Sequence, residues 1–512
     1  MVADMSQPGD SSLDADIIIV GAGISGIGAG IELRRRGYDS FILLDAAADL
    51  GGTWRDNTYP GVAVDIPFSS YCYSFETNYP WSHLFPEGKE IQDYIRHCAQ
   101  KFGIAEHIRY DSNVLRSEFD PSEDSWTTRL ASGESLRSRY VISATGLFTQ
   151  PKIPDFPGLE SFAGKAMHSA RWDQGYNLTG RNVAVIGTGA SAVQIVPEVA
   201  DVASRLTVFQ RTPIWVSLRP DRRIGRRLRY VLHRFAPLRI LFRALSETGI
   251  EALTFAIVYY DRLPFIVRGV QAAVRAFMRR EIRDPELAAR LIPEYELGCK
   301  RPATSNTYLK AFRRENVALV TETIDRIVPQ GVVTADGKLH EADTLVLATG
   351  FLTTEKGNAP SFEVMGREGS ELGQFWEENR LQAYAGVAVP GFPNFFLTAG
   401  PYSGGFNWFT MLKANLKHIM RCLDRARKEG ATRVEIGLDA HERYMQRTWK
   451  RAEGTVFKSG YCASANSYYL DRLGDASLPS PTTPWRRVCR NAIISTRGYR
   501  FSSAPDAERS LT

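Results

Sequence analysis

Two glycine-rich turns, each framed by a strand and a helix, constrain this chain more than any other feature. "ADIIIVGAGISGIGAGIELRRRGYDSFILLD" reads as an apolar strand, the turn Gly21-x-Gly23-x-x-Gly26, an amphipathic helix and a second strand ending at Asp45. "RNVAVIGTGASAVQIVPEVADVASRLTVFQRTP" repeats that order with Gly187-x-Gly189-x-x-Ala192, alanine being a tolerated third residue. In such a turn the first glycine permits the tight bend, the second lets a pyrophosphate approach the backbone, and the third lets helix and strand pack closely. The helix N-terminus then faces the phosphates. The framing strands and helices, with a charged residue closing each unit, make both motifs credible. The spacing predicts an α/β protein with two Rossmann-like dinucleotide-binding domains.

The closing charge differs in sign. Asp45 stands 24 residues beyond Gly21, and Arg211 stands 24 residues beyond Gly187. A carboxylate there hydrogen-bonds a free ribose, whereas a guanidinium suits a 2′-phosphate through charge-assisted contacts. The first unit is therefore expected to hold FAD or NAD and the second NADPH, with Ser191 at the start of the second helix among its contacts.

A chain of 512 residues exceeds what one core serves. "SRYVISATG" and "ADTLVLATG" each show an apolar run followed by Ala-Thr-Gly, ending at Gly146 and Gly350, and fit strands that carry the chain between nested domains. The expected order is a disordered tail over 1–14, a first FAD-domain part over 15–150, and an NADPH domain over 151–345 with a helical insertion at about 222–291. The FAD domain then resumes over 346–490 with a strand in "PNFFLTAGPYSGG", and a tail covers 491–512. The N-terminus is polar and acidic, unlike a signal or transit peptide, so a cytoplasmic protein is expected, as a monomer or small homo-oligomer. Six scattered cysteines contain no C-x-x-C pair, which suggests neither a metal site nor a dithiol centre, and disulfides are not expected in that compartment. The net charge of +6 is mild, and no nucleic-acid partner is expected. Much of it falls between Arg219 and Arg243, where arginines alternate with apolar residues. That segment reads either as the solvated face of a helical insertion or as a basic amphipathic helix making peripheral contact with an anionic membrane.

Four segments then carry a specific resemblance. "GGTWRDNTYPGVAVDIPFSSYCYSF" from Gly51, "FAGKAMHSARWD" from Phe162, "FQRTP" ending at Pro213 and "GCKRPATSNTYLKAFRRENVALV" from Gly298 resemble, in this order, segments of the class B flavoprotein monooxygenases, and within them the type I Baeyer-Villiger monooxygenases. The second fits the fingerprint F-x-G-x-x-x-H-x-x-x-W-D at Phe162, Gly164, His168, Trp172 and Asp173. The resemblance runs from about Ala15 to about Tyr469. It implies FAD and NADPH as cofactors and a small-molecule ketone and O2 as substrates. It further implies oxygen insertion beside the carbonyl through a flavin peroxide to give an ester or lactone, with sulfide oxygenation within reach. By position, Arg301 matches the active-site arginine and Asp65 the aspartate that orients it. Asp45, Gly52, Trp54, Asp65 and Tyr71 match flavin contacts, and Arg211, Thr212 and Lys300 match the NADPH phosphate site. Arginine suits the chemistry because it stays protonated and cannot quench an anion by giving up its proton.

Near the C-terminus the family commonly shows Ser-Trp-Tyr, where this chain has "NSYYLDRLGDASLPSPTTPW" with Tyr468 in place of the tryptophan and Asp475 in place of an arginine. An N- or S-oxygenating flavin-containing monooxygenase would share both Rossmann units, but need not carry an arginine at Arg301 or the Trp172-Asp173 ending. A pyridine nucleotide-disulfide reductase would need the missing C-x-x-C. A membrane-attached, non-catalytic flavoprotein rests on the basic segment alone.

Overall fold

The computed structural model describes residues 13–494 and 496–503, so the tail expected over 1–14 falls almost wholly outside the described residues. Ala15–Val20 forms the centre of the first sheet, paired in parallel with Phe41–Leu44 on one side and Ser135–Ser143 on the other. Ile17 and Ile19 point into one apolar core and Ile18 and Val20 into another. Burial on both faces explains why the strand is continuously apolar rather than alternating. An antiparallel meander of Val114–Asp120, Ser125–Leu130 and Ser135–Ser143 extends this sheet, and Phe395–Leu397 joins it beside Ser135–Ser143.

The second sheet is wholly parallel, in the order Val317–Val320, Arg205–Phe209, Asn182–Ile186, Thr344–Leu347, Lys165–His168. The two sheets share one device. In each, the strand leading into the glycine turn lies between the strand that follows the helix and the strand that ends in Ala-Thr-Gly. Gly21 has φ +109°, and a Cβ there would lie 2.6 Å from the Ala144 carbonyl oxygen; Gly187 has φ +116°, with the Ala348 oxygen at 2.4 Å. Only glycine fits either turn.

The change of sheet falls after Leu347 and not at 345/346, because Thr344–Leu347 is one strand of the second sheet. The outward and return crossings bond to each other: Lys152 N–H donates to the Gly350 carbonyl at 2.9 Å and Leu352 N–H to that of Gln150 at 3.0 Å. Helices Arg226–Arg234, Ala236–Val258, Pro264–Ile282 and Pro285–Leu291 fill the segment 222–291. The last three have a proline in the first turn, where its missing N–H costs nothing.

The C-terminal tail expected from 491 is corrected. Helix Pro484–Ile493 runs past that point, and Tyr499–Ser502 pairs antiparallel with Arg433–Ile436. Tyr499 and Val434 are buried in the first core, which gives the end of the chain an apolar reason to return.

Candidate active site

Both glycine turns open on one cavity of about 1910 Å³, well above the few hundred to about 1,000 Å³ that serves a single small ligand. Its wall includes Gly21, Gly23, Asp45, Gly52, Trp54, Asp65 and Tyr71 from the first unit. From the second come Gly187, Gly189, Ser191, Arg211, Thr212, Lys300 and Arg301. Gly26 is not on the wall. A Cβ there would sit 1.8 Å from the Gly21 oxygen, so its glycine serves helix-to-strand packing.

At the first turn two glycine backbones face each other, the position of a Gly52 Cβ lying 3.3 Å from the Gly23 Cα. Neither Ile24–Arg34 nor Ala190–Val202 carries a side-chain cap at its N-terminus, which leaves first-turn N–H groups for a phosphate. Asp45 accepts from Ala22 N–H at 2.7 Å, Ala47 N–H at 3.0 Å and Arg55 Nη1 at 2.9 Å. Of roughly four acceptor sites on a carboxylate, one remains for a ribose hydroxyl. Trp54 Nε1 donates to the Tyr71 hydroxyl at 3.1 Å, and burial raises the pKa of that hydroxyl.

Arg211 stands close enough to Lys300 for its charge to act on it, and neither has a carboxylate partner among the described residues. Burial first, then the Arg211 charge, pushes Lys300 down to about 8. Two unneutralised cations on a cavity wall are an anion site by composition. Together with the carbonyl-crowded glycines and uncapped helices, they fit two dinucleotides, the second bearing an extra phosphate.

On the wall of the same cavity lies the Arg301–Asp65 pair. Arg301 Nε donates to Asp65 Oδ2 at 2.8 Å and Nη2 to Oδ1 at 2.7 Å, a bidentate fork, and Nη2 also reaches the Phe406 carbonyl at 3.2 Å. Burial alone would lower the Arg301 pKa, but the Asp65 carboxylate outweighs it and the group is raised well above its ordinary value. Local structure fixes the arginine on both sides. Ala303–Thr304 pairs with Val216–Ser217 after it, and before it Cys299 is bonded to Cys462, with Cα atoms 5.1 Å apart. That disulfide overturns the expectation of unpaired cysteines. The partners are 163 residues apart, and spacing alone cannot reveal such a pair.

The fingerprint residues lie elsewhere. His168 is buried, accepts the Ala170 N–H on Nδ1 at 3.1 Å and sets its ring against Phe351, 5.9 Å between centroids. Burial lowers its pKa and favours the neutral ring, and it is not on the wall of the cavity. Trp172 packs on the second core and Phe162 on the smaller cluster beside it. Asp173 pairs with Lys165 at 2.7 Å, and a Cβ on Gly164 would meet the Asp343 oxygen at 2.2 Å.

Sequence reasoning missed several wall residues and met Tyr468 only as a departure from the family pattern. Tyr468 and Tyr469 face Arg301, their hydroxyls held protonated by burial against the opposing pull of the guanidinium. Asn466 donates to Thr212 at 2.8 Å across 254 residues, and Gln194 joins Tyr59 to the Ala63 carbonyl two residues before Asp65. Asp475 instead takes Arg380 and Lys458 as structural partners.

Comparison with known proteins agrees with this geometry. A family model described as pyridine nucleotide-disulphide oxidoreductase matches residues 18–234. A Baeyer-Villiger monooxygenase of Streptomyces coelicolor is 38% identical over 484 residues, covering 94% of this chain and 91% of that protein. One of Pseudomonas aeruginosa is 32% identical, covering 96% and 92%. Among solved structures, cyclohexanone monooxygenase from Rhodococcus sp. Phi1 bound to NADP+ superposes with TM-score 0.84 at 26% identity, over 96% of this chain and 99% of that one. An oxidised steroid monooxygenase bound to NADP gives 0.83 at 27% identity, over 96% and 99%. With two nucleotide turns on one cavity, an arginine forked to an aspartate on its wall and relatives matched along nearly their whole length, the chain belongs to the Baeyer-Villiger monooxygenases.

Proposed function

We propose that the cavity converts a small-molecule ketone to an ester or lactone. FAD is held by Gly21, Gly23, Asp45, Gly52, Trp54 and Tyr71, and NADPH by Gly187, Gly189, Ser191, Arg211, Thr212 and Lys300. These cofactors supply the hydride transfer and oxygen activation that no side chain here can provide. The observation that carries the assignment is the bidentate Arg301–Asp65 pair on the wall shared by both turns.

The pair divides the work. Asp65 fixes the guanidinium plane and balances its charge, while the Phe406 carbonyl takes a further donor. These bonds occupy Nε and Nη2, and Nη1 takes part in none of them, so donors remain for negative charge that develops on a substrate oxygen. Preorganised donors of this kind act most strongly where water is excluded. The protonated hydroxyls of Tyr468 and Tyr469 line the same face and add donors without adding charge.

The test is ketone oxygenation under labelled O2. The wild-type protein is expected to consume NADPH and place one labelled oxygen in the ester product. Arg301→Ala should keep its FAD but lose ester formation by about 10²-fold or more. Ester formation by the variant at the wild-type rate would remove Arg301 from the reaction.

A further inference from the structure

Helix Ala236–Val258 is built inside out. Its charged side chains are partly buried and engaged with the protein. Arg239 donates to the Leu232 and His233 carbonyls, Arg243 pairs with Glu247 at 2.8 Å and reaches Cys72, and Glu251 accepts the backbone N–H of Trp485. Its outer face is apolar and uncharged, formed by Ile240, Leu241, Leu245, Thr248, Ala252 and Phe255. Ile240 is 67% exposed and Leu245 65%, and the spacing places all six along one stripe. The preceding helix Arg226–Arg234 adds exposed Leu228 and Tyr230, and Phe235 is exposed at its end.

Arginines border this surface. From Arg222 to Ser246 the chain has eight arginines and no acidic residue. Arg222, Arg223, Arg226, Arg227 and Arg234 are exposed, and none of them has a carboxylate partner among the described residues. An apolar stripe left in water is unfavourable for a solitary soluble protein and marks an interaction surface.

We infer that this face docks on an anionic lipid bilayer, the stripe entering the boundary between headgroups and acyl chains and the arginines meeting lipid phosphates. Basic flanks around an apolar helical face are what such an interface selects. A second copy of the chain fits less well, since a two-fold contact brings the same patch of both copies together and with it two sets of unpaired arginines. Among the described residues no helix is long and apolar enough to cross a membrane, so the attachment is peripheral. The inner side of the same helix contributes Thr254, Ile257 and Val258 to the cavity wall, so docking places the bilayer about one helix diameter, roughly 10 Å, from the cavity. An apolar ketone dissolved in lipid is then the substrate class the arrangement favours, a consequence that rests on the proposed ketone oxygenation, whereas the docking does not.

The test is flotation of the full-length FAD-bound protein with vesicles of phosphatidylglycerol and phosphatidylcholine, against phosphatidylcholine alone, at low and high salt. Binding to the anionic vesicles is expected to be about tenfold stronger or more, and to weaken as salt screens the charges. The double variant Ile240→Glu/Leu245→Glu should lose binding while keeping FAD and NADPH oxidation in vesicle-free buffer, because neither residue reaches the cavity. Arg226→Glu/Arg227→Glu should weaken it. Absence of flotation with anionic vesicles overturns the inference, as does undiminished binding by the Ile240/Leu245 variant. A solution dimer that this variant dissociates and that excludes vesicles overturns it in favour of a second copy. Vesicle binding by a protein that oxygenates no ketone leaves the docking standing and removes the substrate consequence alone.

Discussion

Lys300 is a side chain whose protonation the structure brings close to neutral pH. Burial and Arg211 bring it down to about 8, so in the unliganded site its charge is present below that pH and lost above it. Held against the 2′-phosphate as proposed, Lys300 would favour its charged form. Binding above pH 8 must therefore include uptake of a proton, and binding below pH 8 need not. The expected outcome is an NADP+ dissociation constant that is flat from about pH 7, where the phosphate is still fully ionised, to about pH 8 and rises above it, by at most about tenfold per pH unit for one proton. NAD+, without the 2′-phosphate, should show no such rise, and Lys300→Met should bind NADP+ weakly at all pH values with the rise abolished. Titration of the cofactor by tryptophan fluorescence across this range checks it, and an unchanged profile in Lys300→Met would assign the pH dependence to another group. Arg301, only one residue on, behaves oppositely because Asp65 grips it. The same burial that weakens a solitary lysine leaves a forked arginine fully charged.

The glycine turn is an element in which adjacent glycines do different physical work. Gly187 sits at φ +116° against the Ala348 carbonyl, whereas a Cβ on Gly189 meets nothing within 4 Å. Gly187→Ala is therefore expected to lose about 2 kcal/mol or more of stability, visible as a lower melting temperature and poor recovery. Gly189→Ala should melt within about 1 kcal/mol of wild type yet raise the KM for NADPH about tenfold or more, because the added methyl occupies the pyrophosphate's approach. Equal effects on melting would deny the division. Such turns are legible in a sequence because their geometry is local: glycine spacing, flanking strands and the closing charge all lie within about one supersecondary unit. Asn466 on Thr212, the Cys299–Cys462 bond and the strand Tyr499–Ser502 were not legible for the opposite reason. Each is a contact between segments far apart in the chain, and nothing in the residues near either partner announces the other. Arg301 and Asp65, 236 residues apart, became legible as a pair only through resemblance.

At the scale of the whole molecule, two sheets with separate cores open on one cavity, so the angle between them sets the distance between whatever the two turns hold. The connection is a two-stranded crossing in which the backbones at 150–152 and 350–352 bond to each other, and His168 packs its ring on Phe351 at that point. His168 ends the edge strand of the second sheet and pairs in register with Leu347, three residues before Gly350. Burial favours its neutral form and it is off the cavity wall, so its route to turnover is positioning. If the crossing governs how the sheets meet, His168→Ala should keep FAD and lose about 1–3 kcal/mol of stability, while kcat for NADPH oxidation falls several-fold with the KM for NADPH nearly unchanged. His168→Asn, whose side-chain oxygen can accept the Ala170 N–H in place of Nδ1, should recover stability more fully than turnover, since it restores the local bond and not the ring against Phe351. A variant pair in which turnover simply follows stability would reduce His168 to a packing residue of the edge strand. A split between the two readouts places the control of turnover in the joint between the domains.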